Sequence, residues 1–386
     1  MIHETTMNVR SRDALAPAKL MIVFSVAVVV IGLLIAPERV WANMLLVGFY
    51  AVGVGIGSLA FVAIHHATGA GWSTVVRRVA EAVAVLIPVG GAIVLLTLIA
   101  GGSTIFPWFH MDSHAHGFKA WWLTPWFVIA RGFVYVAIWM AWLGFYRRHS
   151  IAQDRDRELQ HSIVSRKWSP LFLISFGFTI SLASVDWIMS LEMAWFSTMF
   201  GLYHFSGLFV AALAVIIIVT ITLRESGRLP GVNQHHIHDL GKLLFAFSTF
   251  WMYIWFSQYM LIWYSNLAEE TTHFSLRSGA WAPLMATNVL LNWIVPFLLL
   301  MAARAKMSER RLRRIAIVIL VGHWIDLYLS IHPSLFGSTP VFGGWEVGIG
   351  LGGFALAFLM IARTLDRAAT YPIGDPLLDE SLHHHG

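Results

Sequence analysis

The chain has 386 residues, 58% of them apolar and 14% aromatic, with only 12% charged, about half the charged share of a soluble domain. A mean hydropathy of +0.69 excludes an ordinary soluble enzyme. The absence of cysteine removes thiolate-ligated iron–sulfur clusters, covalently attached c-type haem, Cys-based zinc sites, thiol nucleophiles and disulfides together.

Taken in chain order, apolar windows predict helices at about 19–36, 41–64, 79–100, 121–146, 169–190, 199–223, 242–264, 281–303, 315–336 and 346–363. Each is close to the ~20 residues needed to cross about 30 Å of hydrocarbon. The expected fold is therefore an all-α integral membrane protein with about ten transmembrane helices. Residues 1–18 and 364–386 read as polar tails around one membrane domain, 19–363. The first window lacks a small-residue cleavage site and is followed by Pro37 and Glu38, so it reads as a retained helix. Pro88 with Gly90 and Gly91 in helix 3, and Pro296 in helix 8, predict kinks or freed carbonyls. Gly53, Gly55 and Gly57 lie inside an apolar helix with no preceding strand and read as close helix packing rather than a nucleotide-binding turn. Gly348, Gly350, Gly352 and Gly353 read the same way.

Lys and Arg are strongly asymmetric about these spans. The tails and even-numbered loops hold 22, the odd-numbered loops hold three (Arg39, Lys119 and Arg277), and Arg131 lies within helix 4. The positive-inside rule then puts both termini in the cytoplasm. The net charge of +5 is accounted for by these topology signals, so no nucleic-acid partner is expected.

An internal repeat is suggested at an offset of 140 residues: Asp186-Trp-Ile-Met-Ser190-Leu191 matches Asp326-Leu-Tyr-Leu-Ser330-Ile331. The preceding helices also open alike, with Trp122 then Pro125 and Trp281 then Pro283. Two parallel four-helix bundles, helices 2–5 (about 41–190) and 6–9 (about 199–336), would explain this, with helices 1 and 10 peripheral. Chance similarity between apolar helices is the competing explanation.

Ionisable groups at membrane depth cost about 2.5–3.5 kcal/mol each on insertion scales and need a partner or a task. They are Glu81, Arg131, Asp186, His204, His323 and Asp326, with Glu192 and His332 near outer ends. All but Glu81 fall between mid-membrane and the outer surface, which suggests a polar cavity opening outward. His323 and Asp326, three apart, share a helical face and could exchange a proton, as oxidation of a two-hydroxyl quinol requires. The same groups could instead tether helices by hydrogen bonds, and Arg131 could be the counter-ion of Asp186 or Asp326. Trp251, Trp255 and Tyr259 recur at four-residue spacing, suited to flanking a flat ring or to packing. Trp121, Trp122, Trp126, Trp168 and Trp281 sit at helix ends as interfacial anchors. Three histidine groups lack a convincing tetrahedral set, so no metal site is expected: His235, His236 and His238 with Asp239, His110, His114 and His116 with Asp112, and the terminal His383, His384 and His385.

Three stretches carry a resemblance: His238-Asp239-Leu-Gly-Lys242-Leu-Leu-Phe-Ala-Phe, Trp255-Phe-Ser-Gln258-Tyr-Met-Leu-Ile-Trp-Tyr264-Ser-Asn266, and Ser184-Val-Asp186-Trp187-Ile-Met-Ser190-Leu. The chain resembles the ActF-like membrane subunits of alternative complex III, within the NrfD and polysulfide reductase membrane-subunit family, over roughly residues 19–363. The resemblance implies a subunit of a quinol:cytochrome c (electron acceptor) oxidoreductase in a bacterial inner membrane. Its partners would be an ActC-like membrane subunit, an outer iron–sulfur subunit and haem c subunits. This chain would hold no haem, iron–sulfur cluster or other redox metal, with menaquinol or ubiquinol as its small-molecule contact. By matched motif, Asp186, His323 and Asp326 would belong to a proton path or quinone cavity, with Arg131, His204 and Glu81 as further members. Three rivals stand beside this reading: a secondary transporter, a b-type haem carrier using His204 with His323 or His332, and a structural anchor for outer redox subunits.

Overall fold

The computed structural model describes residues 9–111 and 117–385, with side chains from residue 15 onward. Asp112, His114 and His116 therefore lie outside the described residues. Among those described, all regular structure is helical.

The long helices, in order, are α1 (Val9–Ile35), α2 (Pro37–Thr68), α3 (Gly71–Ala100), α4 (Pro125–Asp156), α5 (Leu159–Leu191), α6 (Phe200–Glu225), α7 (Gln234–Ser265), α8 (Gly279–Leu300), α9 (Glu309–Phe336) and α10 (Gly344–Leu365). Nine of them, all but α7, are long and apolar enough to cross a membrane by length and composition. The protein is a multi-pass integral membrane protein. With 32 residues, α7 is about 48 Å long, but its histidines and aromatic rings lower its hydropathy. Several helices run past their apolar windows. The first starts at Val9 rather than near 19, and α4 and α5 absorb most of the loop expected at 147–168. Hydropathy marks where hydrocarbon ends, whereas the backbone stays helical until a cap or breaker stops it.

The central helix is α2, whose apolar window is wholly buried. Around it, α2, α3, α4 and α5 pack in a closed ring, and α6, α7, α8 and α9 pack in a second. The rings meet where α2 and α5 pack on α6 and where α2 packs on α9. Gly57 permits the approach of α2 to α6, since a Cβ there would lie 2.9 Å from Ala212 Cβ. Small residues serve such contacts because lipid supplies no hydrophobic drive between helices. Helix α1 packs chiefly on α10, with Gly348 and Gly352 facing Val28 and Ser25. It leaves Leu20 and Leu34 exposed, so it is peripheral.

Both proline expectations are met by a specific break. In α3 the helix opens at Ala84 and Val85, one turn before Pro88, where the ring removes a donor and crowds the carbonyl of residue 84. In α8 a π-helical turn, Leu290–Ile294, precedes Pro296. The Asn292 carbonyl that Pro296 cannot serve instead accepts from Ser248 Oγ of α7 at 2.5 Å.

The polar C-terminal segment is folded against the Lys/Arg-rich end of the bundle. Ser381, fully buried, donates to Trp72 O at 2.7 Å and accepts from Val75 N at 3.2 Å, and Asp375 pairs with Arg77. His384 lies 2.7 Å from Asp239. The His235–Asp239 run is the first turn of α7, capped by Asn233, whose Oδ1 accepts from His235 N at 2.9 Å. These histidines cap a helix and dock the tail.

Candidate functional site

Each ring buries one aspartate, and their surroundings differ. Asp186 of α5 is completely buried. Arg131 of α4 reaches it with two nitrogens, Nε to Oδ2 at 2.9 Å and Nη2 to Oδ1 at 2.8 Å. Trp122 Nε1 donates to Oδ1 at 2.9 Å and the Tyr135 hydroxyl to Oδ2 at 2.8 Å. Four donors fill the carboxylate's four lone-pair positions, and the guanidinium cancels its charge. Arg131 is itself held, donating to Trp122 O at 2.9 Å and stacking 3.9 Å above the Trp122 ring. The arginine that could have served either aspartate is thus committed to Asp186.

Asp326 of α9 is also buried, yet every hydrogen-bond donor on its carboxylate is neutral. The Tyr203 hydroxyl and Asn288 Nδ2, the latter at 2.9 Å, donate to Oδ1, and Trp251 Nε1 donates to Oδ2 at 3.3 Å. His323 Nδ1 stands 3.7 Å away, beyond hydrogen-bond reach. Among the described residues no Lys or Arg pairs with Asp326. A buried carboxylate so placed has no countercharge among its hydrogen-bond partners.

A polar chain leads away from Asp326. Asn292 Nδ2 donates to Asn288 Oδ1 at 2.6 Å, and Asn288 donates on to Asp326. Gly322 allows Asn292 to sit against α9, since a Cβ there would lie 2.9 Å from the amide atoms. Toward the Lys/Arg-poor end, Tyr203, Asn288, Gln258, Arg277 and Ser330 line a cavity of about 30 Å³, room for about one water. Gln258 Oε1, His323 Nδ1 and both ring nitrogens of His204 are buried without a protein partner. The His204 ring itself lies between Phe49, at 5.3 Å, and Phe200, at 4.5 Å.

The cavity is roofed by an ionic cap. Glu192, after α5, accepts from Arg277 Nη2 at 2.5 Å, from His273 Nδ1 at 2.9 Å and from Ser334 Oγ at 2.7 Å. Arg277 also donates to Leu329 O at 2.8 Å, at the end of α9, so the cap ties the first ring's outer loop to the second ring. Burial opposes ionisation of Glu192, but the His273 hydrogen bond and the Arg277 charge outweigh it and hold the carboxyl down at about 2. Burial, reinforced by Arg277 and opposed by Glu192, lowers His273 to about 4, so it is neutral at pH 7.

The remaining residues fall elsewhere. Glu81 is buried in α3 toward the Lys/Arg-rich end, 3.5 Å from Arg78, which also bonds Asp154 at 2.8 Å. It belongs to that network and not to the Asp326 cluster. His332 stacks on Tyr328 at 3.8 Å. Of the aromatic series on α7, Trp255 and Tyr259 stack 5.7 Å apart, while Trp251 donates to Asp326. Two of the expected interfacial anchors turn inward. Trp122 bonds Asp186, and Trp281, fully buried, donates to Gly337 O at 2.9 Å, because an indole N–H in hydrocarbon seeks an acceptor. Trp121, Trp126 and Trp168 remain exposed.

Sequence reasoning missed Tyr203, Ser248, Asn288 and Asn292. A signal existed for the last two, since amides four apart in an apolar helix share a face and need partners. It also missed Glu346, buried at the start of α10 and bonded to Arg39 Nε at 3.0 Å and to Asn43 at 3.2 Å. Among the described residues, one His/Asp/Glu group has metal-compatible spacing: Asp156, Glu158 and His161, in the α4–α5 connection. It was not foreseen. A scan against protein-family models finds no match for the chain, and a search of curated proteins finds none either.

Proposed function

We propose that this chain is the proton-handling membrane subunit of a quinol:electron acceptor oxidoreductase of the alternative complex III type. In this reading all ten long helices cross a bacterial inner membrane with both termini cytoplasmic, so the Lys/Arg-poor end faces outward. Electrons pass to iron–sulfur and haem c centres of partner subunits, and an ActC-like membrane subunit lies alongside.

The observation that carries the reading is Asp326: a buried carboxylate without a Lys or Arg partner among the described residues, bonded by Tyr203 and Asn288, two residues that line a small cavity beside it. Protons released as a quinol is oxidised need an acceptor of variable charge and a route to water. In this reading Asp326 is the first, and the second leads through Tyr203 or Asn288 to the cavity beside Arg277 and past its cap. A cavity of about 30 Å³ is far smaller than a quinone ring requires, so the quinol belongs at the face shared with the partner membrane subunit. The parallel-repeat reading draws support from the two rings and from Ser190 and Ser330, each donating to the carbonyl of its own aspartate, at 2.6 and 2.9 Å.

Asp326→Asn in the purified assembly tests the function. We expect quinol-dependent turnover to fall about a hundredfold or more while the subunits still co-purify. Unchanged turnover with unchanged proton release would remove Asp326 from the route. A second reading, the structural anchor, is favoured by the saturated cage around Asp186; on that reading both aspartates hold helices together, and Asp326→Asn lowers stability without touching turnover.

A further inference from the structure

A second cavity, far larger than the first, lies apart from the Asp326 cluster. It is a cleft of about 1560 Å³ between α2, α6, α9 and α10, closed at the Lys/Arg-rich end by residues 366–371. Ligand pockets for compact molecules run to about 1,000 Å³, so this cleft suits a longer occupant. Along α6 it runs from Val215 to Glu225, and along α10 from Gly353 to Leu365, about 15 and 18 Å at helical rise. Half of a ~30 Å hydrocarbon layer is about 15 Å. The cleft therefore reaches from one membrane surface to the midplane, where Tyr50 and Trp324 form its floor.

Its rim is polar and built. Thr370 Oγ1 donates to Arg228 O at 2.7 Å, fastening the segment after α10 to the α6–α7 connection. Charges at the rim are Glu225, Arg228, Asp366 and Arg367. Arg313 lies 2.5 Å from Glu225, and Arg228 is 3.0 Å from Asp366. Arg367 is exposed and pairs with no acidic side chain among the described residues, so the described rim retains one unneutralised cation.

We propose that this cleft is a binding site for one anionic glycerophospholipid, its acyl chains between α6 and α10 and its phosphate on Arg367. A chamber one leaflet deep with an apolar wall and a cationic rim matches that amphiphile, and the reading is independent of proton handling at Asp326. A leaflet lipid enters sideways, between α6 and α10, without crossing the polar rim.

The test is native mass spectrometry of the full-length protein, purified in mild detergent and incubated with phosphatidylglycerol or phosphatidylcholine. We expect one retained phosphatidylglycerol per chain, held more tightly than phosphatidylcholine. Arg367→Gln should weaken its retention about fivefold, and Ala357→Trp, which fills the cleft, should abolish it. If Ala357→Trp does not fold, Val219→Trp places the same obstruction on the opposite wall. Equal retention of both lipids by wild type and Arg367→Gln, or retention of a quinone in place of a phospholipid, overturns the proposal.

Discussion

Arg131 closes on Asp186 through two nitrogens, at 2.9 and 2.8 Å, whereas its counterpart Asp326 is met by an asparagine, a tyrosine and a tryptophan. One aspartate is paired with a cation, and the other is held by neutral donors alone.

Removing the cation from the first site should therefore act on stability. Arg131→Gln strands Asp186 as a buried unpaired charge, at a cost of about 3–5 kcal/mol. The double variant Arg131→Gln with Asp186→Asn should recover most of that loss, read as the unfolding midpoint in detergent. A single variant as stable as wild type would mean that the pair holds nothing together.

The α8 break makes a coupled prediction. Ser248→Ala leaves the Asn292 carbonyl without its partner and should cost about 0.6–2 kcal/mol. Pro296→Ala restores the helical donor to that carbonyl, so the serine should matter less in its background. Strictly additive effects of the two substitutions would show that the Ser248 bond does not answer the proline.

Gly322→Leu should push Asn292 away from α9 and break its bond to Asn288. We expect a loss of about 1–3 kcal/mol from overpacking, together with slower quinol-dependent turnover because Asn288 loses its support. Gly144→Leu, at a position open to its surroundings, is the control and should change neither.

The cap over the cavity should loosen in acid. His273 is held near 4 in the folded protein against an ordinary value of 6.5, so between those pH values the unfolded state binds more protons and stability falls as pH drops. Glu192, held near 2 against 4.5, adds a second loss that begins below about pH 4.5 and completes near 2. Hydrogen exchange in residues 268–277 should therefore rise as pH falls from 7 to 4.5, after correction for intrinsic rates. His273→Gln should flatten that rise, and an equally steep rise in the variant would take His273 out of the account.

Much of the architecture was legible in the sequence. Helix positions followed from windows of apolar residues, and α1 lies at the edge of the bundle, whereas α10, expected there too, also packs on the central α2. Pro88 and Pro296 announced their breaks, because a missing N–H acts within one turn of its own position. Helix ends were read less well: Asn233 starts α7 well before the apolar stretch does, and capping chemistry leaves no mark on hydropathy. The candidate site was half visible. His323 and Asp326 were identified by their cost in hydrocarbon, while Tyr203, adjacent to His204, passed as one aromatic among many.

The sequence by itself determined that this is a multi-pass membrane protein, where its apolar windows lie, and which few ionisable side chains fall within them. Those are properties of short windows, since desolvation acts on each residue where it stands. Only the tertiary structure decided which aspartate receives Arg131. The two carry the same Asp-x-x-x-Ser pattern, and the arginine lies 55 residues before one and still farther from the other. Pairing across such separations depends on which helices become neighbours, so the difference between a carboxylate paired with a cation and one bonded only by neutral donors appears only once the helices have packed.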